Sequence, residues 1–318
     1  MKLSMSGIVL KSTAPLAMAL SLLLGTPAMA QTKITVAYTA VADFASGFHA
    51  VEAGLFKKRG LDVEFKLVPL NPQIPAALQS DSMQVGGTTT PVLLQAIDGG
   101  LDHVAIAGSG ATTKNESLYG VVARAEAPID GAKAFEGKKV GAPGIGAFLH
   151  VLFRKWLIEN GVDIKKVTFV EVSFPQHLDV LKGGTIDAIV TGEPTLSRIV
   201  SAGIGKLSTN FNDNLKGEMP IIIYSATRKW ADANPAAAKA FREAIAESTE
   251  FVNNPANTEA VRAVVGKYIA LPPPVLAALR FGKWRAEVPE AGLKDWVDTM
   301  QAQGMLQTKI DIAKIATK

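Results

Sequence analysis

Twice along the chain, 103 positions apart, the same local pattern appears: a helix end, a short turn, an apolar strand, then Thr-x-x-Pro opening another helix. In the first copy Ala77-Leu78-Gln79 leads through Ser80-Asp81-Ser82 into residues 83–87, then Thr88-Thr89-Thr90-Pro91. In the second Val180-Leu181-Lys182 leads through Gly183-Gly184-Thr185 into residues 186–190, then Thr191-Gly192-Glu193-Pro194. Strands separated by helices cannot pair as tight hairpins; they favour parallel sheets joined by crossover helices. Two copies call for two such lobes.

The surrounding pattern agrees. Residues 33–38 (KITVAY) alternate as a strand, 46–59 read as a helix closed by Gly60, and 61–68 as the next strand. A short helix over 72–79 and strands near 104–107 and 119–124 follow. The series then restarts with strand 138–142, helix 147–160 capped by Gly161, strand 167–172, helix 177–182 and strand 186–190. After a strand over 219–227 the chain turns helical. A stripe of Phe241, Ile245 and Val252 lies on one face of a helix opened by Pro235, with further helices over 258–269, 274–281 and 291–303. Helices without strands build no sheet, so these are expected to pack back on the first lobe.

Residues 1–30 read as a cleavable export signal: Lys2 and Lys11 before an apolar stretch too short to span a membrane, then Ala28-Met29-Ala30. Its removal leaves 288 of 318 residues, and loss of two lysines lowers the formal charge from +4 to +2. That is no nucleic-acid arm. The chain contains no cysteine, which excludes disulfides, thiolate metal sites, cysteine nucleophiles and an acylated lipoprotein anchor. The four histidines show no H-x-x-x-H spacing, and no G-x-S-x-G elbow occurs. The expectation is a monomer without metal or cofactor, free in the periplasm.

The segment 52–65 (EAGLFKKRGLDVEF) resembles the G-[LF]-F-x-x-x-G-[IL]-x-V signature of the nitrate/sulfonate/taurine-type (NitT/TauT) solute-binding proteins of ABC importers. Ile74-Pro75-Ala76-Ala77-Leu78, the Gly141-Ala142-Pro143-Gly144 loop and Gly183-Gly184-Thr185-Ile186-Asp187-Ala188 with Glu193-Pro194 are similar to the same family. So is Asn234-Pro235 opening a long helix. The resemblance covers the mature chain. It implies a type II periplasmic-binding-protein fold: two α/β lobes, each a mostly parallel sheet flanked by helices, with a ligand cleft between them. Lobe I would comprise 31–120 and 226–318, lobe II 121–225, with hinge strands near 119–124 and 221–227. It also implies a small-molecule solute and an inner-membrane ABC permease with its ATPase as partners.

In open α/β sheets ligands bind beyond the C-terminal strand ends, where helices begin. Four junctions qualify here. Asp43 either accepts from an ammonium or hydroxyl or caps the helix near Ser46, with Tyr38 and Phe44 as apolar wall. Thr88, Thr89 and Thr90 precede Pro91; Thr90 is placed to cap the helix and the others to hold an anionic oxygen. Gly144, Gly146 and Ala147 let backbone amides approach a ligand or simply turn into the helix carrying His150; Gln176, in the loop 173–176, is of the same kind. Thr191 and Glu193 stand opposite. Glutamate is a poor cap, so Glu193 is expected at the ligand or across the cleft. Arg154 and Arg198 are expected to be solvated or paired.

The leading function is a receptor capturing a small organic anion or zwitterion by lobe closure, such as a sulfonate, a taurine-like molecule or a carboxylate. Relatives of this fold in pyrimidine and menaquinone biosynthesis make an enzyme the alternative. The missing cysteine motif and the export signal argue against it. A sensor for a membrane kinase is the third reading.

Overall fold

In a computed structural model, which describes residues 31–316 apart from 115, 117, 213, 214 and 216, β1 (Thr32–Tyr38) and β2 (Leu61–Leu67) run parallel. Their register holds from Thr32 opposite Leu61 to Tyr38 opposite Leu67. The expected export signal, residues 1–30, lies outside the described residues. Between the strands the predicted long helix stops early. α1 covers Ala45–Glu52, because Gly54 takes a left-handed φ of 69° that no regular helix accommodates.

The first sheet adds β3 (Val85–Thr89), β4 (His103–Gly108) and β12 (Ile222–Thr227) in the order β2-β1-β3-β12-β4. The second is built from β6 (Tyr119–Arg124), β7 (Lys139–Ala142), β8 (Thr168–Glu171), β9 (Ala188–Gly192) and β10 (Gly205–Thr209). Its order is β10-β6-β9-β7-β8. Read from the opposite edge, this is the order of the first sheet. In each, one strand, β12 or β6, runs antiparallel to both neighbours while the others share a direction. The strands of the two copies lie two residues later than the sequence suggests, and β3 and β9 keep the spacing of 103.

Crossover helices α2 (Ile74–Gln79), α3 (Thr90–Asp98), α4 (Phe148–Glu159), α5 (His177–Lys182) and α6 (Thr195–Ser201) flank the sheets. The chain passes from the first sheet to the second before β6 and returns after β10. Both predicted hinge strands therefore lie inside one sheet or the other. At the crossings, β5 (Gly110–Thr112), β11 (Met219–Pro220) and β13 (Lys283–Trp284) form a small third sheet.

The C-terminal helices α7 (Arg228–Ala233), α8 (Pro235–Asn253), α9 (Thr258–Tyr268), α10 (Pro273–Ala277) and α11 (Glu290–Ala302) complete the chain. The α8 stripe is buried at Phe241, Ile245 and Val252, and Phe56 stacks on Phe241 with centroids 4.9 Å apart. Among the described residues no helix is long and apolar enough to cross a membrane.

Candidate functional site

After β1 the chain turns into a single 3-10 turn, Ala42–Phe44, held in place by its own backbone. The Asp43 carbonyl accepts from Ser109 Oγ at 2.7 Å and from Trp284 Nε1 at 3.0 Å. So fixed, the Asp43 carboxylate meets Tyr119, the first residue of β6 in the other sheet, whose hydroxyl donates to Oδ1 at 2.9 Å. Two glycines make room for this pair. A Cβ on Gly110 would lie 2.5 Å from Asp43 Oδ1, and one on Gly192 2.7 Å from Tyr119 Cδ1. Desolvation pushes the Asp43 carboxyl up to about 6, the Tyr119 hydrogen bond opposing and the charge of Glu116 assisting. Burial raises the Tyr119 phenol well above its ordinary value.

Asp43 and Tyr119 line a small cavity between the elements of the two sheets. Thr39, Asn71 and Thr89 supply its remaining polar side chains. Phe148, Leu149, Phe174, Ile221 and Ile222 are prominent among its apolar walls. Asn71 acts as a clamp: its Nδ2 donates to Gly87 O at 2.9 Å, and its Oδ1 accepts from Thr89 N at 2.8 Å. Thr89 is 7% exposed, and its Oγ1 has no hydrogen-bond partner. From the second sheet, α4 points its N-terminus into the same space. Ala147 is its N-cap without a side-chain cap, so the amides of its first turn, left without intrahelical partners, lie beside the cavity, which Phe148 and Leu149 line.

Of the residues singled out by sequence, Asp43, Thr89 and Ala147 line this cavity. Asp43 does not cap α1. Thr88 points the other way, since side chains alternate along an extended strand, and Thr90, the first residue of α3, is also turned from the cavity. Thr88 Oγ1 bonds to Ser225 Oγ at 2.9 Å, and Thr90 Oγ1 donates to Pro220 O at 2.6 Å. The N-cap of α3 is Thr89, not Thr90. Tyr38 and Phe44 belong to an aromatic core, with Tyr38 packed edge-on against Phe44 and Phe48 and donating to Tyr268 O at 3.0 Å. Gly144 and Gly146 adopt φ values of 144° and 83°. Gly146 O accepts from Gln95 Nε2 of α3 at 2.7 Å, a contact between elements of the two sheets.

Gln176 is exposed and accepts from Ser173 Oγ at 2.8 Å; Phe174, two residues earlier, faces the cavity instead. Thr191 Oγ1 is bonded to His177 Nδ1 at 3.0 Å inside the second unit. His150 is fully buried, accepts from Gly146 N at 3.0 Å, and is held down to about 3 by desolvation. Asn71, Tyr119 and Phe148 escaped the sequence reading as ligand contacts, and Phe174 was covered only through its loop, 173–176. Their only signal was position, in loops or at element ends beside the junctions considered.

Glu193 lies outside the main cavity and lines a neighbouring one, which also touches Asp43 and Tyr119. Here the two copies diverge. α6 begins at Thr195, two residues later than the counterpart of α3, leaving Glu193 outside the helix. From there its side chain does cap: Oε2 accepts from Ser197 N at 3.2 Å and Oε1 from Ser197 Oγ at 2.7 Å. Oε1 also accepts from Arg280 at 3.1 Å, a residue of the C-terminal segment, so Glu193 bridges the cleft. Among the described residues no group of three or more metal-ligating side chains is gathered.

The NMT1-like family matches residues 28–266. The nitrate/nitrite binding protein NrtA of Synechococcus elongatus is 28% identical over 258 residues, which cover 71% of this chain and 56% of that protein. The chain therefore spans about half the length of this curated relative. Among solved structures, the alkanesulfonate-binding protein SsuA from Xanthomonas axonopodis pv. citri bound to MOPS superposes with a TM-score of 0.74 at 18% identity. The match covers 91% of this chain and 98% of that one. The periplasmic nitrate-binding protein NrtA from Synechocystis gives a TM-score of 0.75 at 18% identity, over 89% and 84% respectively. The architecture is thus that of type II periplasmic binding proteins, as the sequence resemblance implied.

Proposed function

The chain belongs to the NMT1-like family, and from that premise we propose that it is the solute-binding receptor of an ABC importer. It captures a small organic anion or zwitterion, such as a sulfonate, a taurine-like molecule or a carboxylate. Capture takes place in the periplasm, and the solute is then delivered to an inner-membrane permease and its ATPase. One lobe is built on the first sheet and the other on the second, and they close about the two crossings. The protein acts as a monomer and performs no chemistry on the solute.

The observation that carries this reading is the meeting, in one cavity, of the α4 N-terminus and the unpartnered Thr89 hydroxyl. Free helix amides and a buried donor await an acceptor oxygen, and the apolar walls suit a short carbon body. The alkanesulfonate named for one neighbour lies within this class, and the nitrate named for the curated relative is, like a sulfonate, a small oxyanion.

A thermal-shift screen of the mature chain against sulfonates, carboxylates, nitrate and amino-sulfonates tests it. A solute at 100 times its dissociation constant adds about 2.7 kcal/mol of stability. No shift with any of them, together with turnover of a substrate, would refute the receptor reading.

A further inference from the structure

We propose that the solute is bound as an anion by uncharged donors alone, and that Asp43 takes up one proton as the solute enters. This rests on the reading of the cavity as the solute site. The cavity lining contains no lysine, arginine or histidine; its titratable side chains are Asp43 and Tyr119. The groups able to hold an anion are the α4 N-terminus and the Thr89 hydroxyl, 7% exposed and without a partner.

These groups are not remote from the carboxylate. Phe148, the first residue of α4, packs edge-on against Tyr119 with centroids 4.9 Å apart, and the Tyr119 hydroxyl donates to Asp43. An anion seated at the helix end therefore shares one small, mostly apolar enclosure with the Asp43 carboxylate. Like charges there disfavour the ionised form. A solvent proton placed on the carboxylate removes the repulsion and turns the group into a further donor.

The charged neighbours do not reverse this. On the Asp43 side of the first crossing, Glu116 adds negative charge. Across the adjoining cavity stand Glu193, paired with Arg280, and the exposed Lys283. Desolvation already holds the empty carboxyl up to about 6, so near pH 7 the proton must be acquired on binding.

Isothermal titration with methanesulfonate, propionate, nitrate and taurine between pH 5 and 8, in two buffers of different ionisation enthalpy, tests the proposal. For a bound anion, affinity should fall about tenfold per pH unit above pH 6, with close to one proton taken up at pH 7 to 7.5. Asp43→Asn should abolish this dependence, and the proton count on the unaltered protein decides the matter even if that variant does not fold. Binding of an anion with flat pH dependence overturns the proposal. So does preference for taurine with affinity rising with pH, which would mean that an ammonium faces an ionised Asp43. No binding by any probe at any pH overturns the solute reading itself.

Discussion

Replacing Glu193 by alanine removes a side chain that is 5% exposed and accepts three hydrogen bonds. Loss of the cap on the Ser197 amide costs about 1 kcal/mol. The bond from the Ser197 hydroxyl to a charged acceptor contributes roughly 1.5 kcal/mol more. The Arg280 side chain is 53% exposed, so solvent screening keeps its share below about 1 kcal/mol. The expected destabilisation of Glu193→Ala is therefore about 3 kcal/mol. Glu193→Gln keeps an acceptor oxygen and loses only the charge, which should cost about 1 kcal/mol. Urea unfolding at pH 7 with unchanged m-values measures both. A double-mutant cycle with Arg280→Ala should return a coupling under about 1 kcal/mol. A loss under about 0.5 kcal/mol for the alanine variant would refute the capping role. A coupling above roughly 2 kcal/mol would show that the bridge to Arg280, not the cap, dominates.

Thr89→Val should leave the melting temperature unchanged or raised, because the hydroxyl has no partner to lose. It should weaken solute binding about tenfold in calorimetry, the worth of one hydrogen bond to a charged group. Thr90→Val should do the reverse, lowering stability by about 1 kcal/mol through the lost bond to Pro220 with affinity kept. Gly87→Ala should destabilise by about 1–3 kcal/mol in chemical denaturation, since its Cβ would stand 2.0 Å from Phe44 Cε1 in a packed core. Desolvation holds His150 down to about 3 and His177 down to about 4, against an ordinary value of 6.5. The unfolded chain therefore binds protons that the folded one refuses. The stability concerned is fully present above pH 6.5 and is lost as the pH falls towards 4, while Asp43 opposes the loss by one proton between about 4 and 6. Melting temperatures across pH 4–8 check the sign, and His177→Gln should flatten the profile.

The repeated unit made the two sheets legible, because strand–helix alternation leaves few ways to pair. The site was legible only by neighbourhood. All five residues of β3 are buried, so the strand carries no amphipathic phase to say which of Thr88, Thr89 and Thr90 faces the cavity. Tyr38 and Phe44 flank the right junction, but the core behind β1 had room for their rings and took them. Tyr119 meets Asp43 across 76 residues, and no local pattern encodes such a contact. Glu193 does reach across the cleft to Arg280, but it also caps, because α6 starts two residues later than the copy implied and its longer side chain comes within reach of the Ser197 amide.

The strand that runs against its neighbours has a different history in the two sheets. In the second, β6 is the first of the five strands along the chain, so that sheet can be completed by residue 209. In the first, β12 slots between β3 and β4 and pairs residues 135 apart, Thr88 with Ile223. Until β12 arrives, β3 and β4 each present a bare edge of unpaired amides and carbonyls. Contacts so distant in the chain form late. The second sheet should therefore fold ahead of the first, and a chain cut short before residue 222 should carry one finished sheet beside a split, association-prone one.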